Sequence, residues 1–331
     1  MKGKYLVTGA NGFIGSHLVD ALVSKRRFVK VLIRKNSNIC NIEEHVKKKR
    51  IEIVYGDMRE RRSLKEALDN CNVICNVGAL TDLSASRKAF LDVNVHSLRN
   101  MLELASKRPV KRFVQISSIG AFSKNHSVIN EKTPLNPMNN YELSKVEGEK
   151  IAISYWKEKG LPVTILEPSA VYGPKVNIGF PYMLDAIKKG RMRYPVSEDN
   201  LLNLIYVTDF VKAIELSIEK EEAIGERFII GGEKPYTYKE IIEAAAHELG
   251  VPPPKKHIPI SIAKCFIFIT QHIAKMKGKK PGLVIEYFDY ITTNMNLDIS
   301  KAKSILGFKP EVELKDGMRE MVKWFLSSRT L

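Results

Sequence analysis

The sequence predicts an α/β fold: a doubly wound parallel sheet with a smaller, mostly helical C-terminal lobe. Three observations predict it. Strand-like runs at 4–8, 28–33, 51–54, 72–77, 111–116 and 162–167 alternate with helical patterns at 13–25, 61–69, 85–106 and 141–159. Such alternation means parallel strands joined by crossovers. Several runs are almost continuously apolar, as expected when helices cover both faces of a sheet. After about residue 170 the alternation stops, and glycine and proline accumulate at Gly173-Pro174, Gly179, Pro181, Gly190 and Pro195.

The first run, Tyr5-Leu6-Val7-Thr8, begins almost at once, with no apolar leader or cleavage site before it, so a cytoplasmic location is expected. It turns through Thr8-Gly9-Ala10-Asn11-Gly12-Phe13-Ile14-Gly15 into a helix whose Ile14, Leu18, Ala21 and Leu22 share one stripe. Gly9 permits the tight turn, Gly12 lets backbone N–H groups approach a pyrophosphate, and Gly15 lets the helix pack against the sheet. Asn11, Phe13 and Ile14 complete the loop at the helix N-terminus, where free N–H groups favour an anion. A glycine triple in this strand-to-helix context reads as dinucleotide binding, and the sheet as Rossmann-like.

The second strand ends at Arg34 and Lys35, and no Asp or Glu occurs between Asp20 and Glu43. An acidic residue there would suit the ribose 2′-OH of NAD, and an arginine the 2′-phosphate of NADP. NADP is therefore favoured over NAD, although Arg34 also suits stacking on adenine or plain solvation. After the third strand, Asp57, next to Met58, is placed either to accept from an adenine amino group or to cap the helix at 61–69. The fourth strand runs into Val77, Gly78 and Ala79.

The strand at 111–116 ends in Ser117-Ser118, and Tyr141 and Lys145 lie four apart at a helix start, on one face. A tyrosine with its ordinary pKa near 10 is a poor base, and a nearby ammonium favours the phenolate. About three decades, or ~4 kcal/mol, would make it a useful acid/base. Tyr155 and Lys159 have the same spacing but sit at the helix end, away from the carboxyl ends of the strands where open α/β sheets bind ligands.

Further on, a helix at 207–219 and a strand at 227–230 return to the sheet. The expected division is a nucleotide-binding domain of 1–175 with 203–232, and a substrate lobe of 176–202 and 233–331. The apolar stretch 258–274 contains Lys264, Gln271 and His272, which argues against a membrane span. A buried amphipathic helix is expected, with an interfacial helix as the alternative.

Over 331 residues the formal charge is +16. The basic runs at 25–27, 47–50 and 59–62 accompany no nucleic-acid module, so no nucleic-acid partner is expected. Only the basic run 275–280, directly after the apolar stretch, keeps contact with a membrane surface open. The four cysteines read as buried reduced thiols, and no Cys/His spacing suits a metal.

Taken together, the glycine loop, Gly56-Asp57, Asn94, Ser118 and the Tyr141/Lys145 pair resemble an extended short-chain dehydrogenase/reductase of the NAD-dependent epimerase/dehydratase family. The resemblance covers nearly the whole chain. It extends to Asn76-Val77-Gly78-Ala79, to 168–174, to Tyr206-Val207-Thr208-Asp209 and to 298–307. It implies that Ser118 orients a substrate oxygen, Tyr141 is the acid/base, and Lys145 binds the nicotinamide ribose and lowers the tyrosine pKa. Asn94 would support a proton-relay water. Gly78 and Ala79 would let the cofactor pass, and Pro168, Ala170 and Val171 would meet the nicotinamide. A homodimer through the helices near 85–106 and 141–159 is also implied.

Departures narrow the branch. The Asp-Glu pair of the sugar dehydratases is replaced by Ile119-Gly120. The arginine with which nucleotide-sugar members grip the nucleotide aligns with Leu202, leaving Arg191 and Arg193 as substitutes. The usual Leu-Arg-Pro is Leu166-Glu167-Pro168. The apolar helix before 298–307 is similar to the dihydroflavonol-reductase and 3β-hydroxysteroid-dehydrogenase branch. The expectation is an oxidoreductase acting on a ketone or secondary alcohol of a small organic substrate. The alternatives are a nucleotide-sugar epimerase with retained NAD and a non-catalytic cofactor-sensing protein.

Overall fold

A computed structural model describes residues 3–122, 127–194, 199–276, 284–285, 288 and 292–328. Strand β1 (Lys4–Thr8) leads through α1 (Phe13–Ser24) to β2 (Phe28–Ile33), a short α2 (Glu43–Lys47), β3 (Ile51–Tyr55), α3 (Arg61–Ala67) and β4 (Val73–Asn76). Helix α4 (Arg87–Phe90) runs through a π-helical turn, Leu91–His96, into α5 (Ser97–Ala105). Then follow β5 (Arg112–Ile116), α6 (Asn140–Lys159), β6 (Val163–Pro168), β7 (Ala170–Tyr172), α7 (Phe180–Lys188), β8 (Leu201–Leu202) and β9 (Leu204–Tyr206). The remainder is α8 (Val207–Glu219), β10 (Arg227–Ile230), β11 (Tyr236–Thr237), α9 (Tyr238–Leu249), α10 (Ile260–Met276) and α11 (Leu314–Ser328).

Seven strands form one sheet in the order β10-β6-β5-β4-β1-β2-β3, every pair parallel. From β1 the chain first builds outward through β2 and β3, then crosses to β4 on the other side. The crevice between the carboxyl ends of β1 and β4 is the topological switch point, where sheets of this kind bind ligands. Apolar residues of α1 and α8, including Leu18, Leu22, Phe210 and Ile214, share one buried cluster with β2. Leu64, Leu98, Met101 and Ile151 of α3, α5 and α6 share the other. Strand β10 joins the sheet beside β6, as the return at 227–230 predicts.

Local chemistry fixes the helix that carries the tyrosine. The Asn139 side chain accepts from Glu142 N at 2.9 Å, and α6 ends at Gly160 in the left-handed region, φ 65°. Helix α7, absent from the sequence reading, starts with Pro181 in its first turn, where a missing N–H costs nothing.

Three expectations need correction. The helix expected over 85–106 is interrupted by the π-helical turn. The helix expected to be buried at 258–274 is α10, and it exposes Ile262, Phe266, Phe268, Ile269 and Ile273. Its sequence is apolar on two faces, and among the described residues Ala263 and Ile267 are buried, in a small cluster with Phe288. The four cysteines are free, but only Cys71 and Cys75 are buried, their thiols pushed up to about 11 and about 12 by burial. Cys40 lies in the loop after β2 and Cys265 on the outer side of α10, both exposed. Of the basic run 275–280, the Lys275 side chain and residues 277–280 lie outside the described residues. No helix among the described residues is long and apolar enough to cross a membrane.

Candidate active site

The floor of the switch-point crevice is made of glycine backbone. Gly9 has φ +65°, and a Cβ on it would stand 2.6 Å from the Gly78 Cα. A Cβ on Gly15 would overlap the Gly9 carbonyl oxygen, and one on Gly78 would stand 2.9 Å from the Met58 sulfur. Helix α1 begins at Gly12 with no side-chain cap, so the first-turn N–H groups of Phe13, Ile14 and Gly15 have no partner within the helix. This cradle fits a dinucleotide: narrow backbone walls, and donors aimed at an anion.

Side chains outside the glycine pattern hold the cradle. Thr8 donates its hydroxyl to Asn76 Oδ1 at 2.7 Å and accepts from Gly78 N at 3.0 Å. Asn76 donates to Gln115 Oε1 at 2.8 Å, and Gln115 donates to the Ile116 carbonyl at 2.8 Å. Lys145 Nζ reaches the same carbonyl at 3.0 Å. A buried polar chain thus ties the glycine loop to the lysine. Its sequence signal was three polar residues inside otherwise apolar strands.

Around the crevice, Asn11 donates to the Asn38 carbonyl at 2.8 Å and so ties the glycine loop to the loop after β2. Arg34 and Lys35 stand exposed at the end of β2. Asp57 does not cap α3, whose N-cap is Glu60. Instead its carboxylate accepts from Arg59 Nη2 at 2.8 Å and Nε at 3.0 Å. Arg59, and to a smaller extent Arg34, hold that carboxyl below its usual range. Met58, Val77 and Ala79 line the same rim, partly buried. Pro168 ends β6, while Ala170 and Val171 begin β7 opposite Leu204 and Ile205.

At the carboxyl end of β5, Ser118 and Tyr141 come together. The Ser118 hydroxyl stands beside the Tyr141 hydroxyl, close enough to favour its phenolate, and accepts from Gly120 N at 3.1 Å. Burial pushes the Tyr141 hydroxyl up to about 12, with Ser118 pulling the other way. Lys145 Nζ lies 5.7 Å from the Tyr141 ring centroid, and burial lowers its ammonium to about 8. Lys145 is not among the groups that shift the Tyr141 hydroxyl in this geometry, where burial dominates and raises it. The Asn94 amide is also committed: it accepts from Leu80 N at 2.8 Å and donates to Leu80 O at 3.0 Å and Ser144 Oγ at 2.9 Å. Its side chain clamps the loop after β4 to α6. The π-helical turn carries it, a distortion common at functional positions. Tyr155 lies near the far end of α6, packed in the core cluster there.

Ser117 turns the other way. Its hydroxyl donates to Glu149 Oε1, one helical turn beyond Lys145. Glu149 and Glu167 are both buried, and burial raises both carboxyls. Among the described residues the Oε2 atom of each lacks a hydrogen-bond partner, so burial favours the protonated form of the pair. Arg227 donates from Nη2 to Glu167 Oε1 at 2.6 Å and from Nε at 3.1 Å, with Glu149 Oε2 3.7 Å away. This explains the acid in Leu166-Glu167-Pro168: β10 lies beside β6 and supplies the guanidinium from Arg227. The pairing joins strands 60 residues apart, and no local pattern announces it.

A cavity of about 400 Å³ opens beside Tyr141, lined by Leu83, Pro137, Met138, Asn139, Asn140 and Leu143. Leu202 is buried in β8 opposite Tyr236. Arg193 spends its guanidinium on the Gly190 and Met192 carbonyls at 3.3 and 2.9 Å.

The chain is 28% identical over 330 residues to sterol demethylase protein B of Methylococcus capsulatus, covering 97% of each. It is 27% identical over 339 residues to the UDP-glucose 4-epimerase of Vibrio cholerae, covering 99% of this chain and 97% of that one. Among solved structures, the UDP-glucuronic acid 4-epimerase of Bacillus cereus, in complex with UDP-glucuronic acid and NAD, superimposes with a TM-score of 0.81. That match has 21% identity and covers 98% of this chain and 99% of that one, a likeness of fold. The sequence profile of the NAD dependent epimerase/dehydratase family matches residues 5–231. The chain belongs to that family, the extended short-chain dehydrogenases/reductases, and is an enzyme of it.

Proposed function

We propose that the protein is an NAD(P)-dependent oxidoreductase interconverting a ketone and a secondary alcohol on a small organic substrate, with Tyr141 as the acid/base. The observation that carries the reading is the Ser118 hydroxyl brought beside Tyr141 at the glycine cradle, with Lys145 on the same face of α6. A bound nicotinamide supplies or accepts the hydride. Ser118 holds the substrate oxygen. Tyr141 gives that oxygen a proton in reduction and takes one in oxidation. Lys145 holds positive charge beside the tyrosine and the ribose.

Arg34, with no carboxylate in the loop that follows it, supports NADP over NAD. The lobe of 176–202 and 233–331 is the proposed substrate side. Leu202 offers no cation and Arg193 turns Nη1 to two backbone carbonyls, so Arg191 is the remaining candidate to grip a nucleotide; the missing arginine at Leu202 favours an apolar organic substrate over a UDP-sugar. The epimerase reading rests on the named sugar-epimerase relative. The proposed homodimer pairs through α5 and α6, and light scattering reads it directly.

The test is absorbance at 340 nm with NADPH or NADH and a panel of apolar ketones, alongside UDP-glucose. Net oxidation of NADPH supports the proposal. Conversion of UDP-glucose without net absorbance change replaces it with epimerisation. Tyr141→Phe is expected to lower kcat by about a hundredfold or more, and retained activity removes the assignment of the acid/base.

A further inference from the structure

We propose that the outer face of α10 docks the C-terminal lobe on the anionic surface of a lipid bilayer. The inference does not depend on the reaction proposed above.

Ile262, Phe266, Ile269, Ile273 and Met276 follow one another at spacings of four and three, so they form a single stripe along α10. All five are exposed, Phe266 at 65%, Ile262 at 56% and Met276 at 87%. The adjoining stripe, Ala263 and Ile267, is the one that packs on the protein, against Phe288. Exposing that many large apolar side chains in a row is costly in water, and a contiguous patch of this kind marks a contact surface.

Charge selects the occupant. From 249 to 285 the chain carries seven lysines and no Asp or Glu. That segment therefore supplies a large part of the net +16. Lys255 and Lys256 are exposed just before α10. The Tyr194–His257 bridge sets the exposed Arg191 segment beside them, with Tyr194 N donating to Lys256 O at 2.9 Å. A second copy related by a twofold axis would bring lysines against lysines. Anionic headgroups meet the cations while the acyl boundary takes the apolar stripe, as in helices that lie flat in an interface. Among the described residues no helix is long and apolar enough to span, so in this docking α10 lies along the surface.

The experiment is co-sedimentation of the full chain with vesicles of phosphatidylcholine alone, or of phosphatidylcholine and phosphatidylglycerol in equal parts. Binding to the mixed vesicles is expected to exceed binding to phosphatidylcholine by about tenfold and to fall at ~0.5 M salt. Phe266→Asp with Ile269→Asp is expected to lower it about tenfold. Lys255→Glu with Lys256→Glu is expected to lower it on the mixed vesicles only. Both positions of the first variant are exposed, and an unchanged thermal melt confirms its fold. Equal, weak sedimentation with both vesicles overturns the proposal. So does a wild-type dimer in light scattering that Phe266→Asp with Ile269→Asp turns into a monomer, because a second copy then covers the stripe.

Discussion

Replacing Lys145 by methionine tests the energetic cost of the site, and it should stabilise the protein while abolishing turnover. Burial holds the Lys145 ammonium at about 8, against an ordinary 10.5. At ~1.4 kcal/mol per pH decade, that interval corresponds to roughly 3 kcal/mol of unfavourable burial at pH 7. The lost hydrogen bond costs little, because the Ile116 carbonyl keeps the Gln115 donor at 2.8 Å. Methionine fills similar space without charge. The sign follows from proton binding. Between about 8 and 10.5 the unfolded chain holds a proton on this lysine and the native one does not, so wild-type stability rises with pH there. The advantage of Lys145→Met should therefore be largest at pH 7 and shrink as the pH approaches 10. Urea or thermal unfolding at several pH values reads it, with a rise in Tm of roughly 5 °C at pH 7. A Tm that falls at pH 7, or a difference that does not shrink with pH, refutes the reasoning.

Arg227→Met should destabilise by about 3–5 kcal/mol, because it leaves the buried Glu149 and Glu167 carboxyls without their cation. Adding Glu167→Leu should recover at least half of the loss in urea titration, and no recovery would mean the guanidinium acts through packing on Phe122, whose ring centroid lies 5.5 Å from it. Because burial raises the carboxyl of Glu167, the stability it contributes is complete below its ordinary 4.5 and is lost as the pH rises. Glu167→Gln should accordingly flatten that fall, and unfolding titrations that stay parallel from pH 5 to 8 count against a raised Glu167 carboxyl. Arg34→Asp should weaken NADPH relative to NADH by about tenfold or more in fluorescence titration, and unchanged selectivity removes Arg34 from the cofactor reading. Gly9→Ala should lose dinucleotide binding, since Gly9 has φ +65° and its new methyl would meet the Gly78 backbone; unaltered affinity would show that the loop shifts without cost.

Much of the architecture is local information. The apolar periods and the glycine turns place β1 to β6, α1 and α6 within a residue or two, because burial on both sheet faces leaves a continuous apolar record in each strand. Gly9, Gly12 and Gly15 are legible for the same reason: a tight turn and a close helix need glycine wherever they occur. The choice between Tyr141 and Tyr155 was also readable, since position along one helix decides which lies near the carboxyl ends of the strands.

What the sequence could not supply depends on partners far away in the chain. Glu167 reads as an anomaly until β10 brings Arg227 beside it, and the choice of Ser118 over Ser117 rests on the resemblance alone until one meets Tyr141 and the other Glu149. Asn94 has its role set by Leu80 and Ser144. The apolar character of α10 was plain from its residues, but which stripe packs and which faces outward was decided by Phe288. Periodicity records that a side chain is apolar. Only the tertiary fold determines whether another surface is there to cover it, because burial is a property of the pair and not of either member.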